Sequence, residues 1–312
     1  MFSPPKPAYE IAQIIEDRRP LRRLRLLFWC IAIAFGFVQA WNNRLLMNSD
    51  GICYLDLADA YLRGGYSLLL NAHWSPFYPW LLGLAKRLVN PAPYWEFTLL
   101  HLVNFVIYVF ALVAFEFLLT ELIASGIPGP QSENAGVNPL PEWSLRVIGY
   151  LVFLWSSLTL ITLERESPDM LMSVFVYFAV AIILKIRSDT TNWYLFALLG
   201  VNLGIGYLAK APMFPLAFVF LGVTLLTTSN LRQATPRVLV AFTLFVLVSA
   251  PLFAGLSRMK ARLTFGDSGK WNYLTVANGV GPLWYMQDLG TARGKFEHNP
   301  RKFLTSLLFT PL

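Results

Sequence analysis

Charged residues are scarce in this chain. They make up 14% of its 312 residues, whereas hydrophobic residues make up 56%. An ordinary soluble domain carries about 25% charged residues, so this balance is typical of a protein that resides in the lipid bilayer. Several apolar segments reach the roughly 20 residues that a helix needs to cross hydrocarbon. The sequence therefore predicts an all-α, polytopic membrane protein.

Two other scarcities narrow the class further. The only cysteines are Cys30, inside the first apolar segment, and Cys53, after it. They lie at different depths, which excludes a disulfide framework. No N-x-S/T sequon occurs, and this absence favours a bacterial source. The N-terminus lacks a short apolar region followed by a small-residue cleavage site, so we expect an uncleaved first span rather than a signal peptide.

The basic residues are scattered or gathered at the ends of apolar segments. The net charge of +7 therefore reflects topology signals and lipid headgroup contacts and does not indicate nucleic acid. The basic block "EDRRPLRRLR" precedes the first apolar segment, which predicts that residues 1–25 are cytoplasmic. The first crossing then covers about 26–46, and 47–75 forms the first outer loop.

Seven further apolar segments follow the first. They lie at about 75–90, 97–124, 144–163, 170–187, 192–209, 211–228 and 238–257. We predict a transmembrane module over 26–257 with about seven or eight membrane helices. Residues 258–312 are polar, glycine-rich and aromatic, and we expect an extramembrane tail on the outer face. The last eight residues turn apolar again, as if they led into a further span.

The number of segments between charged positions gives a test of topology. Four basic residues are natural cytoplasmic flanks: Lys185, Arg187, Arg232 and Arg237. They place Asp169, Lys210 and the tail outside. Three apolar segments separate Asp50 from Asp169, so one of them does not cross. The shortest, 75–90, is the candidate for a juxtamembrane or re-entrant helix, although its "KR" pair would also suit a cytoplasmic end.

The first outer loop contains the stretch "MNSDGICYLDLADAYLRGGYSL". Its apolar residues predict a short amphipathic helix along the membrane interface. Asp50 precedes this helix as an N-cap type residue. Asp56 and Asp59 are expected on the wet face of the helix. The stretch is therefore explained either as a helix cap with two solvated acids or as a site in which Asp50 carries chemistry.

A second charged stretch, "LERESPDMLMSVF", joins two apolar helices on the same predicted face. Ionisable groups at the end of a membrane helix are costly unless they are paired or wet, so Arg165, Glu166 and Asp169 are functional candidates. The alternative is structural: Arg165 neutralises a neighbouring glutamate, and Asp169 caps the next helix. That alternative accounts for some of the charges but not for their concentration.

Two more stretches belong to the same face. In "GVNLGIGYLAKAPMFP" the glycines have the small-residue spacing of close helix packing in bilayers. Lys210 follows them and needs an anionic partner, either a lipid phosphate or ordinary headgroups reached by snorkelling. The cluster "HWSPFYPW" is typical of an aromatic membrane belt and secondarily of a sugar-stacking surface. It contains His73 and Tyr78.

In chain order, four motifs carry a resemblance to a known family: "SDGICYLDLADAYLRGG", "SPFYPWLLGL", "SPDMLMSVFVYFAV" and "LGIGYLAKAP". From about residue 24 to 257 the chain resembles the membrane-embedded glycosyltransferases of the GT-C type. The nearest likeness is to the family 39-like enzymes, which include dolichyl-phosphate-mannose protein mannosyltransferases and bacterial aminoarabinose lipid A transferases. The resemblance implies a GT-C-like helix bundle with juxtamembrane helices in the first outer loop. Members are commonly longer, so we expect a truncated or reduced member.

The resemblance also implies roles for individual residues. Asp50 takes the place of the catalytic base, and Asp169 matches a second acidic position that orients Asp50, the acceptor or a metal. Lys210 matches the lysine near the phosphate of the donor. Further donor-phosphate or substrate-binding candidates are Arg165, Glu166, His73 and Tyr78. No cofactor is predicted, and a divalent metal is left open.

The implied activity is transfer of a sugar from a polyprenyl-phosphate donor to an acceptor outside the cytoplasm, with inversion. The partners are this donor, a lipid, glycan or protein acceptor, and membrane lipids, without nucleic acid. The expected location is a bacterial inner membrane, with the site on the periplasmic face. A transporter, a lipid-binding membrane protein or a non-catalytic scaffold would also explain charges at helix ends. No internal repeat, as many transporters have, is found in the sequence.

Overall fold

The computed structural model describes residues 8–64, 70–126, 140–228, 231–270 and 273. These residues form helices and connecting turns, without a strand among them. The helices are α1 (Ala8–Asn42), α2 (Ser49–Leu62), α3 (Phe77–Val89), α4 (Glu96–Gly126), α5 (Glu142–Trp155), α6 (Asp169–Ser188), α7 (Trp193–Ala209), α8 (Met213–Leu226) and α9 (Leu231–Met259). Most of the predicted tail, including its apolar end, lies outside the described residues.

Five stretches are long and apolar enough to cross a membrane. They are Arg19–Asn42, Pro93–Ser125, Glu142–Leu160, Asp169–Ser188 and Leu231–Met259. Helices α7 and α8 are apolar but have only 17 and 14 residues. The all-helical class and the long apolar helices agree with the sequence. The predicted count of seven or eight crossings exceeds the five stretches that meet the length criterion.

The helices pack as a bundle with two different ends. At one end, Arg25 of α1 and Arg146 of α5 lie 3.2 and 3.4 Å from Glu116 of α4. We call this the Arg25 end. At the other end, Lys210 after α7 pairs with Asp169 at the start of α6. This Lys210 end also holds the connection between α1 and α2.

Helix α6 joins two apolar cores. One core lies among α1 to α6, and the other lies among α6 to α9. Helices α7 and α9 approach closely because α7 has glycines where they meet: a Cβ on Gly200 would lie 2.9 Å from the Ala241 Cα, and one on Gly204 would lie 2.8 Å from a methyl carbon of Val248. The predicted use of these glycines in helix packing is confirmed.

Helix α3 lies at the Lys210 end along its whole length. Its 13 residues span about 20 Å. The ring of Phe77, its first residue, faces Phe175 of α6 at 6.0 Å. Near its other end, Lys86 pairs with Asp59 of α2 and with Glu96, the first residue of α4, at 2.8 Å. The segment 75–90 is therefore a short helix whose two ends stay on the same side of the bundle.

Helix α2 does not present the wet face that its sequence predicts. Asp56 is only 4% exposed, and Asp59 is engaged by Lys86. The reason is packing from later parts of the chain, because α3 covers α2 and the ring of Tyr54 contacts Trp74 and Tyr78. The predicted cap is also corrected: Asn48 caps the helix and accepts from Gly51 N at 2.7 Å.

Candidate functional site

The connection between α5 and α6 is irregular and firmly anchored. A π-helical stretch, Ser156–Leu160, ends α5, and Thr162 has φ +50°, which is unusual for a β-branched residue. Gln39 of α1 donates to Leu158 O at 2.9 Å and to Thr162 Oγ1 at 3.1 Å. Its own oxygen accepts from Leu163 N at 3.2 Å. These bonds fix the backbone that leads to the charged stretch 164–169.

A buried glutamate connects this stretch to the turn before α2. The Glu166 Oε2 accepts from Asn48 N at 3.2 Å, and Oε1 lies 3.2 Å from His101 Nε2. The same His101 nitrogen lies 3.0 Å from Leu46 O. Both neighbours of Nε2 are acceptors, so we assign its proton there. The side chains of Glu166 and His101 are each 1% exposed. Glu166 holds Asn48 N and His101 holds Leu46 O, so together they fix the turn that leads to Asp50. We call this contact set the Glu166 grip.

A cavity of about 710 Å³ opens next to this turn. Its polar end includes Asp50, Arg165 and Asp169, together with Asn48 and Ser167. The rest of its wall is mostly apolar and comes from the end of the π-helical stretch and from α6, with Leu160, Ile161, Met172, Ser173, Val176 and Tyr177. From Asp169 to Tyr177 the cavity runs along about 12 Å of helix. It can therefore hold a ligand with a polar head and an apolar continuation.

The three charged residues of the cavity wall, together with Lys210 outside it, fall into two kinds. Lys210 Nζ donates to Asp169 Oδ1, and Ser167 Oγ donates to Asp169 Oδ2 at 2.8 Å. These two side chains therefore neutralise each other. Within the described part of the chain, the carboxylate of Asp50 and the guanidinium of Arg165 make neither a hydrogen bond nor an ion pair. The cavity thus holds one uncommitted acid and one uncommitted cation.

The remaining sequence candidates do not line the cavity. The Tyr78 hydroxyl is fully buried and donates to Asn104 Oδ1 at 2.6 Å. Direct substrate binding by Tyr78 does not fit this position, because α2 and α4 cover it. The same holds for Glu166, whose carboxylate is used by the Glu166 grip. Lys210 is not in the cavity wall and reaches the site through Asp169.

His73 lies beside the site rather than in it. Its Nδ1 is buried without a hydrogen-bond partner among the described residues. Burial lowers the pKa of His73, while the negative charges of Asp50 and Asp267 favour the protonated ring and partly oppose this effect. We therefore expect a neutral imidazole near pH 7. The same Asp50 charge adds to burial in raising the pKa of Tyr54 well above its ordinary value, which indicates that Asp50 lies close to the α2 core.

Sequence reasoning missed several groups that build the site. Gln39 and Asn48 hold the backbone. Gln39 looks like any residue of a helix, whereas Asn48, directly before α2, is itself a typical N-cap residue that could have been recognised. Asp267 was missed as well. It is buried, pairs with Arg262 and lies 3.6 Å from Lys260 Nζ. Its backbone N donates to Ala72 O at 2.6 Å, which ties the end of the described chain to the first outer loop.

Within the part of the chain that the structure describes, the site shows no assembled metal centre. Among the described residues, no group of three or more histidine, cysteine, aspartate or glutamate side chains is placed to hold a metal ion. The two acids of the cavity wall could still contribute ligands to a metal that a substrate phosphate brings. Apart from a metal, the Asp50 carboxylate is free to accept a hydrogen bond from a ligand, whereas Asp169 pairs the start of α6 with Lys210 after α7.

Comparison with known proteins adds no relative. No family model, no curated protein and no solved structure matches the chain.

Proposed function

We propose that this protein is an integral membrane glycosyltransferase that takes a sugar from a polyprenyl-phosphate donor. The observation that carries the proposal is the pairing of charges in the cavity. Asp50 and Arg165 share one cavity and have no partners within the described chain, whereas Asp169 and Lys210 satisfy each other. A reaction that needs one base and one phosphate-binding cation would use this arrangement directly.

Asp50 serves as the general base. The acceptor hydroxyl loses its proton to the Asp50 carboxylate as its oxygen forms a bond to the anomeric carbon of the sugar. The bond between that carbon and the phosphate oxygen breaks, and the polyprenyl phosphate leaves with the electron pair. Attack opposite the leaving group inverts the configuration. The polyprenyl phosphate is a good leaving group and needs no general acid.

Arg165 binds the departing phosphate. A planar guanidinium can form two parallel hydrogen bonds to phosphate oxygens, and the developing charge strengthens them in the transition state. This assignment moves the main phosphate contact from Lys210, which the sequence favoured, to Arg165. Lys210 and Asp169 instead fix the start of α6 against the end of α7, on one side of the cavity.

The shape of the cavity is compatible with such a donor. Its polar end would receive the sugar and phosphate, and its apolar wall along α6 would receive the first isoprene units. The apolar helices α7 and α8 are then two shorter crossings, which together with the five long stretches give seven. With residues 1–25 in the cytoplasm, the Lys210 end faces outward, which is the periplasm if the source is bacterial. Seven crossings with the site at the outer end would be compatible with the GT-C-like architecture that the motifs suggested.

The test uses purified protein in vesicles with radiolabelled polyprenyl-phosphate sugars. Washed membranes from cells that lack this protein supply the acceptor. We expect wild-type protein to transfer label and Asp50→Asn to lose about 10²- to 10⁴-fold in rate, the usual contribution of a general base. Arg165→Gln should weaken donor use, and Arg165→Lys should restore part of it.

The matched control is Glu164→Gln. Glu164 is an exposed acid in the same connection, but it does not line the cavity with Asp50. Its loss should leave transfer unchanged. Equal transfer by wild type and Asp50→Asn would refute the role of Asp50. Protein-dependent uptake of a solute, without transfer from any donor, would instead support the transporter alternative.

A further inference from the structure

The first residues of α1 that have described side chains form a basic surface. Arg19, Arg22 and Arg23 are exposed. Their spacing of three and four residues places them on one face of the helix. Among the described residues, none of the three has a salt bridge to a carboxylate. Arg25 differs, because it reaches Glu116 at 3.2 Å.

The same face continues as an exposed apolar stripe. Leu26, Cys30 and Ile33 follow at helical spacing, and all three are exposed. Half of the hydrocarbon thickness is about 15 Å, which corresponds to about ten helical residues. The three arginines therefore lie at the level of the lipid headgroups, and the apolar stripe below them is about as long as one leaflet is thick. We call residues 19–33 of this face the arginine face.

We infer that the arginine face binds an anionic phospholipid, with its phosphate among the three guanidinium groups and an acyl chain along the apolar stripe. Like charges three and four residues apart destabilise a helix, and an anion between them removes this repulsion. A zwitterionic headgroup brings no net charge to offset three cations. Each cation near an anionic membrane surface changes binding by about 1 kcal/mol, which is about fivefold. The site is separate from the cavity and does not depend on the proposed reaction.

The experiment measures retained lipid by native mass spectrometry. Purified protein is equilibrated with equal amounts of phosphatidylglycerol and phosphatidylcholine, and the bound lipids are counted. We expect wild type to retain phosphatidylglycerol with at least fivefold preference. The triple variant R19Q/R22Q/R23Q should lose this preference, and R19K/R22K/R23K should keep most of it.

A matched variant removes the same charge at the same end of the bundle. R187Q/R232Q/R237Q lacks three arginines near the Arg25 end, where Arg237 already stacks on Trp193. It should retain the wild-type preference. Equal loss in both triple variants would show only a general charge effect and would overturn the proposal, as would equal retention of the two lipids by wild type.

A second measurement needs no variant. If the phosphate lies among exposed guanidinium groups, raising the salt concentration from about 0.1 to 1 M shortens the screening length from about 10 to 3 Å. The preference of wild type for phosphatidylglycerol should then fall several-fold. A preference that does not respond to salt contradicts the inference, even if a glutamine variant fails to insert into the membrane.

Discussion

Removal of the Glu166 side chain tests how the turn before Asp50 is held. In Glu166→Ala, Asn48 N loses its acceptor at 3.2 Å and His101 Nε2 loses its carboxylate neighbour. Asn48 is exposed at the cavity, so water can replace the lost acceptor and the cost is that of one ordinary hydrogen bond, about 0.5–1.5 kcal/mol. His101 Nε2 retains Leu46 O at 3.0 Å, so we count one lost hydrogen bond and expect a loss of about 0.5–1.5 kcal/mol. Glu166→Gln keeps a side-chain oxygen and should lose less.

The assay compares two properties of the same variants. Thermal unfolding reports the loss of stability. Asp50→Cys, made in a Cys30→Ser background, reports the position of the turn through its rate of modification by a water-soluble thiol reagent, after subtraction of the labelling of Cys53 in Cys30→Ser protein that keeps Asp50. We expect Glu166→Ala to unfold at lower temperature and to change the labelling rate at position 50, with Glu166→Gln between it and the parent. If Glu166→Ala matches the parent in both measurements, the Glu166 grip does not hold the turn.

Two further predictions concern packing and protonation. Gly200→Ala should destabilise the protein by about 1–3 kcal/mol, because the new Cβ would meet backbone atoms of Ala241 that cannot move aside. The control is Gly222→Ala, whose new Cβ would have no neighbouring atom within 4 Å. Equal unfolding midpoints of the two variants would contradict the close approach of α7 and α9. Burial raises the pKa of the Cys53 thiol to about 12. Its modification rate in Cys30→Ser protein should therefore rise about tenfold per pH unit from pH 8 to 10, whereas a plateau near pH 9 would indicate an accessible, ordinary thiol.

The helices could be predicted from sequence because local signals define them. Long apolar segments located three of the five long apolar helices to within about four residues at each end, whereas the stretches Arg19–Asn42 and Leu231–Met259 begin seven residues earlier than predicted. The spacing of the glycines in α7 predicted a close contact with another helix, and α7 packs closely against α9. The positive-inside rule and the count of segments placed Asp169 and Lys210 on one face, and their ion pair is consistent with that placement.

The contacts between distant residues could not be predicted in the same way. The wet face assigned to Asp56 and Asp59 was wrong because α3 covers α2, and the amphipathic pattern of α2 does not reveal which side a later helix will cover. Glu166 was taken for a substrate ligand, yet it meets His101 and Asn48, which lie far away in sequence. The charges of the cavity could be identified from the sequence, but only the fold separates Asp169, which pairs with Lys210, from Asp50, which has no partner among the described residues.

The Glu166 grip has a consequence for biogenesis. Asn48 and Glu166 are separated by 118 positions in the chain. At a synthesis rate of about 5–20 residues per second, the turn at Asn48 would wait about 6–24 s for its partner. During that interval α1 and α2 are already made, but the turn that carries Asp50 lacks the side chain that holds it. The turn before Asp50 therefore reaches its final position only after residue 166 has been made, well after the helices on either side of it.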